Sequence, residues 1–299
     1  MKKTIKAPAK INLCLKVNRK RADGYHDLSM IMQTISLFDT LEFEIIKEKE
    51  FDYSSEKQIN IKCNYNYLPT DDRNLVYQIV KYIYDKYSIK DKIFIYLKKM
   101  IPTSGGLGGG SSDAASMLLF LNRFYKLKLT TDELSEIAAM YGSDIPFFVR
   151  KKECICEGRG EIITEIKAFN NYYILIATPN VRVSTKEIFS RVDDFIIPDS
   201  RKQLEDIAFH NCIEAIQKKD LKLLANNLFN NLEIVTESMF SDVSLFKSKM
   251  IKHGALASLM SGSGPTVFGI FNSYVKAIYC KNSMKREHKD AFIFLAKPI

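Results

Sequence analysis

The amino-acid sequence predicts an α+β fold in two domains, residues 1–168 and 169–299. Three features point there. The chain has 299 residues, a length at which single cores begin to divide. Period-two and helix-period segments are mixed without steady strand–helix–strand alternation, which favours α+β over a doubly wound parallel sheet. A polar stretch, Lys167 to Asn171, precedes the apolar run Tyr172 to Ala177, and the domain boundary is placed there. With 46% hydrophobic and 26% charged residues, the chain can bury a core without disulfides or a structural metal. Disordered, collagen-like and small cystine-rich classes are excluded.

The elements follow in order. Ile11 to Val17 alternates apolar and polar, the mark of a half-buried strand. Residues 28–46 give more strand, with a break expected at Asp39-Thr40. Segment 52–72 is polar and reads as a loop with one short strand near Ile59 to Lys62. From Asn74 to Tyr87 the spacing of Leu75, Ile79, Tyr82 and Ile83 turns helical, with Asp72 or Asn74 as its cap. Ile93 to Leu97 is a strand. Ala114 to Leu121 is apolar nearly all round and predicts a buried helix. Thr130-Thr131-Asp132-Glu133 is a capping-box pattern opening a helix that ends near Tyr141-Gly142. Beyond the strand at 172–177, helices are expected near 184–192, 203–218, 220–231, 242–252 and 273–285. Strands are expected near 256–260, 265–271 and 291–296.

Lys+Arg 44 against Asp+Glu 35 gives a net charge of +9, which suits an anionic partner: nucleic acid, a membrane surface or a phosphorylated small molecule. The interleaved basic and aromatic clusters of a nucleic-acid binder are weak; Lys16 to Arg21 is the best basic run. No stretch approaches the roughly 18–20 apolar residues of a membrane span. The segment Met1 to Pro8 lacks the apolar run of a signal peptide, so the chain reads as cytoplasmic. Its cysteines are scattered; Cys154 and Cys156 are close, but not at the spacing of paired zinc ligands, and all are expected to be reduced. His26, His210, His253 and His288 are too far apart to form a local ligand pair.

The densest glycine cluster lies between a strand and the buried helix, with Gly105, Gly106, Gly108, Gly109 and Gly110 followed by Ser111, Ser112 and Asp113. Glycine allows close backbone approach, and a helix start offers unpaired N–H groups and the positive end of the dipole. The cluster therefore reads as a phosphate cradle rather than a flexible turn. It is not a Walker A loop, because no lysine follows Gly110. It is not a dinucleotide fingerprint, because no second parallel strand with an acid follows.

Pro102-x-x-x-x-Leu107-Gly108-Gly109-Gly110-Ser111-Ser112-x-Ala114-Ala115 resembles the central ATP motif of the GHMP kinases. Ala7-Pro8-Ala9-Lys10-Ile11-Asn12-Leu13 resembles their amino-terminal motif, and Ser261 to Gly269 their carboxyl-terminal glycine motif. Asp23-Gly24-Tyr25-His26 and Gly142-Ser143-Asp144-Ile145-Pro146 resemble the branch that acts on a cytidine diphosphate derivative. The resemblance implies an amino-terminal domain like ribosomal S5 domain 2, a ferredoxin-like carboxyl-terminal domain, and a cleft between them for ATP and substrate. ATP would phosphorylate the 2-hydroxyl of diphosphocytidyl methylerythritol. A kinase of the homoserine or mevalonate type is the alternative, or a non-catalytic nucleotide-binding relative.

The resemblance also assigns roles. Asp144 matches the catalytic base, although Asp144-Ile145-Pro146 also reads as a helix start. Lys10 matches the catalytic lysine, on a strand where an isolated lysine would otherwise be solvated. Pro102, Thr103, Ser104, Gly105, Gly106, Leu107, Gly108, Gly109, Gly110, Ser111 and Ser112 would hold ATP, with Lys99, Asn74 and Leu75 toward its adenosine. Asn12, Tyr25, His26, Thr185, Phe189, Ser263 and Gly264 would hold the substrate, Tyr25 by stacking on cytosine and His26 by hydrogen bonds to its edge. Bland readings stand beside these: Asn74 as a helix cap, Tyr25 as a surface aromatic, Ser263-Gly264 as a tight turn. Mg²⁺ is expected with ATP, its protein ligands left open, since Asp113 can equally serve the helix start. No nucleic-acid or membrane partner is expected, and the chain is expected to be a monomer or weak homodimer.

Overall fold

A computed structural model describes residues 2–48, 57–150, 153–167, 169–195 and 199–299. Residues 52–56 of the expected loop, and Ala168 at the expected domain boundary, lie outside the described residues. In chain order the elements begin with β1 (Lys2–Lys20), β2 (His26–Ile46), β3 (Ile59–Cys63), α1 (Leu75–Lys86), β4 (Lys92–Lys98) and α2 (Gly109–Phe124). They continue with α3 (Thr131–Ala139), α4 (Ile145–Arg150), β5 (Cys154–Gly158), β6 (Ile162–Glu165), β7 (Tyr173–Thr178), α5 (Thr185–Arg191) and α6 (Asp199–Lys218). The remainder is α7 (Leu221–Asn227), β8 (Phe229–Asn230), α8 (Asn231–Met239), α9 (Ser241–Lys252), β9 (Ala257–Met260), β10 (Val267–Phe271), α10 (Tyr274–Glu287) and β11 (Phe292–Ala296). Strands and helices are mixed, and the α+β expectation holds.

The chain forms two compact units, and both draw on β1 and β2. One unit comprises Met1–Ala9, Leu37–Ile101 and Gly108–Lys151; the other comprises Lys10–Ser36, Pro102–Leu107 and Lys152–Ile299. In the first, β3 runs parallel to β4, and β4 runs antiparallel to the Thr40–Ile46 part of β2. Alternation along β4 buries Ile93, Ile95 and Leu97. Helix α2 packs against both α1 and α4, which explains its apolar sequence: Ala114, Ala115, Met117, Leu118 and Leu121 are all buried. Each large apolar side chain so buried contributes roughly 1.5–3 kcal/mol. Two helix starts are as expected: Asn74 Oδ1 accepts the Val76 N–H, and Thr130 and Glu133 form a reciprocal capping box.

In the second unit, β7, β9, β10 and β11 form an antiparallel sheet in the order β11-β7-β10-β9. Helices α5 to α9 connect β7 to β9, and α10 connects β10 to β11. This strand–helix–strand–strand–helix–strand course is the ferredoxin-like arrangement. Also in this unit, Leu28–Met32 of β2 pairs with β5, β5 pairs with β6, and Cys14-Leu15 of β1 pairs in parallel with β8.

Two expectations are corrected, and two strands are added. Strand β2 runs unbroken through Asp39-Thr40 because the Asp39 carboxylate is supplied with donors: it accepts the Met100 and Ile101 N–H groups at 2.5 and 2.8 Å. The helix expected over 220–231 is two helices separated by β8. Asn230 interrupts it by donating to the carbonyls of Met260 and Gly262, both at 2.8 Å, while its Oδ1 caps α8 at Leu232 N. Strands β5 and β6 were not expected; they are short, and their pairing partners supply the signal that their sequence lacks.

Glu153, just before β5, is fully buried. Its Oε2 accepts the Phe169 N–H at 2.9 Å, and Oε1 has no hydrogen-bond partner among the described residues. Burial, opposed only by that N–H, lifts its pKa from the ordinary 4.5 to about 8. Below pH 4.5 the acid is neutral in folded and unfolded chains alike; as pH rises toward 8, the folded state increasingly resists an ionisation that the unfolded chain accepts freely. Glu153→Gln is therefore expected to stabilise the protein by a few kcal/mol near pH 8, with the gain shrinking toward pH 5. Denaturant unfolding of parent and variant at both pH values measures it; an equal difference at both would contradict the assignment.

Candidate active site

The glycine-rich segment leaves β4 and enters α2. Gly108 is the N-cap residue of α2, in the left-handed conformation at φ 68°, and no side chain caps the helix. The first amides of α2 thus keep their donors for something else, at the positive end of a 16-residue helix. A Cβ placed on Gly110 would meet nothing nearer than Leu75 Cδ1 at 3.9 Å, so the space beside Gly110 is open, whereas Gly109 packs against Ile101 and Asp39. Leu75 and Asn74 stand beside that opening, Asn74 also fastening Pro69 O through Nδ2 at 2.7 Å. Ser112 Oγ is buried and lacks a hydrogen-bond partner among the described residues.

Behind the helix start lies a buried charge cluster. Lys99 Nζ pairs with Asp39 Oδ2 and with Asp113 Oδ2, the latter at 2.5 Å, and all three side chains are at most 5% exposed. Burial depresses the Lys99 pKa, but Asp113 and Asp39 outweigh it and the net shift is upward. Burial raises Asp113 to about 7, against the pull of Lys99 and with the repulsion of Asp39. Lys99 is also clamped through its backbone, since Asn64 bonds both its N–H and its carbonyl. The side chain expected to reach toward adenosine is thus committed to two carboxylates.

The part of the loop that belongs to the second unit is equally constrained. Gly106 has φ 74°, and a Cβ there would overlap the Ser261 carbonyl oxygen. Ser261 Oγ donates to Gly106 O at 2.9 Å, and Lys10 N–H donates to Leu107 O at 3.0 Å. Lys10 is 4% exposed, and its Nζ donates to Asn12 Oδ1 at 2.6 Å. As period two requires, Lys10 and Asn12 share a face of β1. Ser263 and Thr185 exchange a hydrogen bond at 2.8 Å, bringing two predicted substrate residues together. Gly264, at φ 79°, leaves no room for a Cβ against Met260 Sδ.

Tyr25 is 57% exposed on the turn between β1 and β2, while its neighbour His26 is 5% exposed. The turn is held by Arg21 N–H to Tyr25 O at 2.7 Å and by Tyr25 N–H to Asp23 Oδ1 at 3.1 Å. His26 Nε2 lies 2.8 Å from Asp193 Oδ1, and its ring is 5.6 Å from that of Phe189. Hydrogen bonds from Lys20 and then His26 hold the Asp193 carboxyl below the usual range. The basic run is locally paired: Lys16 with Asp206, Arg19 and Arg21 with Asp27, Lys20 with Asp193. Asp144 is half-buried and immediately precedes α4, where its helix-start reading places it.

Pro102 and Thr103 are half-buried, Ser104 is exposed at φ 52°, and Gly105 packs under Thr266. Ser111 and Gly109 are in the first turn of α2. Asp39 and Asp193 escaped sequence reasoning. A lone aspartate interrupting the apolar alternation of β2 was the available signal for Asp39; Asp193 carried none. Among the described residues no three His, Cys, Asp or Glu side chains converge as a metal-binding group.

An uncapped glycine-rich helix start beside a buried lysine suits phosphoryl transfer, and comparison with known proteins agrees. The GHMP kinases N terminal domain model matches residues 74–152, and the GHMP kinases C terminal model matches residues 212–290. A 4-diphosphocytidyl-2-C-methyl-D-erythritol kinase of Clostridium beijerinckii is 40% identical over 97% of this chain and 98% of its own length. One of Clostridium botulinum is likewise 40% identical over 97% of this chain and 98% of its own. The crystal structure of a 4-(cytidine 5'-diphospho)-2C-methyl-D-erythritol kinase superimposes with a TM-score of 0.78 at 26% identity, covering 98% of this chain and 99% of that one. Homoserine kinase from Cytophaga hutchinsonii, at 17% identity and a TM-score of 0.72 over 99% of this chain and 94% of its own, shares the fold. The chain belongs to the GHMP kinases. Within that family its place is among the 4-diphosphocytidyl-2-C-methyl-D-erythritol kinases.

Gly106→Ala is expected to distort the loop, since both its φ and the Ser261 carbonyl oppose a side chain, at roughly 1–3 kcal/mol for the backbone alone. ATP turnover should fall at least tenfold and the melting temperature should drop. Unchanged values of both would show that the loop tolerates what its geometry forbids.

Proposed function

We propose that the protein transfers the γ-phosphoryl group of ATP to the 2-hydroxyl of 4-diphosphocytidyl-2-C-methyl-D-erythritol, in the methylerythritol phosphate route to isoprenoid precursors. The observation that carries this reading is the 40% identity to kinases of that name over 97% of the chain. The site supports it. The amides at the start of α2, from Gly108 to Ser112, hold the triphosphate; Leu75 and Asn74 flank the adenosine side. Lys99 serves the nucleotide by fixing the helix start from behind, through Asp113.

Asp144 accepts the proton of the attacking hydroxyl as its oxygen bonds to the γ-phosphorus and the bond to the β-phosphate oxygen breaks, releasing ADP. The buried Lys10 ammonium, oriented by Asn12, steadies the charge of the moving phosphoryl group. Tyr25 and Phe189 offer ring faces to the cytosine, and His26, fixed through Nε2 by Asp193, offers Nδ1. Thr185, Ser263 and Gly264 form the substrate's contact on the second unit.

The residues fit a Mg²⁺ that arrives with ATP, not a resident one. Ser112 Oγ, which has no hydrogen-bond partner among the described residues, is the protein ligand we favour; Asp113 Oδ2 is engaged by Lys99, although its Oδ1 also lacks a partner. Bound with ATP, Mg²⁺ would neutralise phosphate charge. No helix of the described residues is long and apolar enough to cross a membrane. We place the enzyme in the cytoplasm as a monomer or weak homodimer, its domains dividing near 168/169 between the two matched family regions.

Turnover of ATP with the diphosphocytidyl alcohol, homoserine and mevalonate tests the reading. Phosphorylation of the first alone, with CDP competing against it, is the expected result; preference for homoserine or mevalonate would overturn it. Asp144→Asn is expected to lower kcat at least about 100-fold while ATP still binds. Full activity in that variant, read beside nucleotide titration, would remove Asp144 as the base.

A further inference from the structure

The turn between β5 and β6 places a cation on the ring of Tyr25. Glu157 O accepts the Gly160 N–H at 3.0 Å, so residues 157–160 close a tight turn with Arg159 near its tip. Gly158 and Gly160 flank it at φ 69° and 118°, backbone angles that bulky residues avoid. Glu161 braces the turn: its Oε2 accepts the Arg159 N–H at 2.6 Å. The Arg159 guanidinium carbon then lies 5.2 Å from the Tyr25 ring centroid, a cation–π distance.

Its charge is held less closely than those of its basic neighbours. Arg19, Lys20 and Arg21 each have a carboxylate oxygen within 2.8 Å. Arg159 Nε stands 3.9 Å from Glu161 Oε1. A loosely paired guanidinium beside an exposed aromatic face is suited to a ligand with both a flat ring and negative charge.

We infer that Arg159 is a binding determinant for the diphosphocytidyl substrate, supplying a cation where the base stacks on Tyr25 and the diphosphate follows. The inference rests on the substrate reading above and adds to it a residue on a separate turn. Planarity lets the guanidinium stay against the ring while its N–H groups turn toward phosphate oxygens, which an ammonium does less well.

Steady-state kinetics of Arg159→Ala test it, with KM for each substrate and kcat measured separately. KM for the diphosphocytidyl alcohol should rise about tenfold, with kcat and KM for ATP within about twofold of the parent. Inhibition by CDP should weaken similarly, inhibition by uncharged cytidine much less, and added salt should raise the parent's KM more than the variant's. Arg159→Lys, which keeps the charge, should recover part of the loss. An unchanged or lowered KM in Arg159→Ala would overturn the inference; a lowered one would mean that the guanidinium blocks the base. A rise matched in KM for ATP, or a fall in kcat alone, would also overturn it, since both signal a structural role. Failure of the parent protein to phosphorylate the diphosphocytidyl alcohol would instead remove the reading beneath it, and the inference with it.

Discussion

The buried ion cluster of Lys99 with Asp39 and Asp113 is the constraint on which the nucleotide side of the molecule depends. Three charges are withdrawn from water in the space behind one glycine-rich turn, and each partner is needed by the others. Such clusters add little net stability, because desolvation offsets much of the attraction, but losing one member strands the rest at roughly 3–5 kcal/mol. Their value here is positional. Asp39 fixes the exit of β4 through the Met100 and Ile101 amides. Through Lys99 it is joined to Asp113, which lies in the first turns of α2. The uncapped amides of that helix are thereby positioned by side chains buried behind it.

The second unit solves a related problem with exposed charges. Around Tyr25 and His26, arginines and lysines are matched locally by Asp23, Asp27, Asp193 and Asp206. The net charge of +9 is therefore not concentrated in this basic run. Exposed pairs of this kind are worth at most about 1 kcal/mol each, so their effect is on orientation. His26 shows it best, since Asp193 holds one of its ring nitrogens and Phe189 lies against the ring.

Much of this was legible in the sequence where the cause is local. The caps at Asn74 and Thr130, the apolar α2 and the apolar runs of β4 and β7 follow from spacing within a dozen residues. What stayed hidden depends on distant partners. The unbroken run through Asp39 needs amides about sixty residues away. The interruption at Asn230 needs carbonyls about thirty residues on, and β5 and β6 need each other and β2. The site divides similarly: the phosphate cradle could be argued from glycine and helix-start physics, whereas Lys10, Asp144, Tyr25 and His26 gained roles only through resemblance to a family. Lys99 was expected beside the nucleotide, but its carboxylate partners Asp39 and Asp113 could not be read from spacing.

The parallel pairing of Cys14-Leu15 with Phe229-Asn230 has a consequence for biogenesis. During translation the early strand emerges more than two hundred residues ahead of its hydrogen-bonding mate. β2, its neighbour on the other edge, follows at once, but the edge that meets β8 stays unpaired until most of the polypeptide has left the ribosome. Contacts of such long sequence separation slow folding, so the pairing that closes this edge is among the last to form.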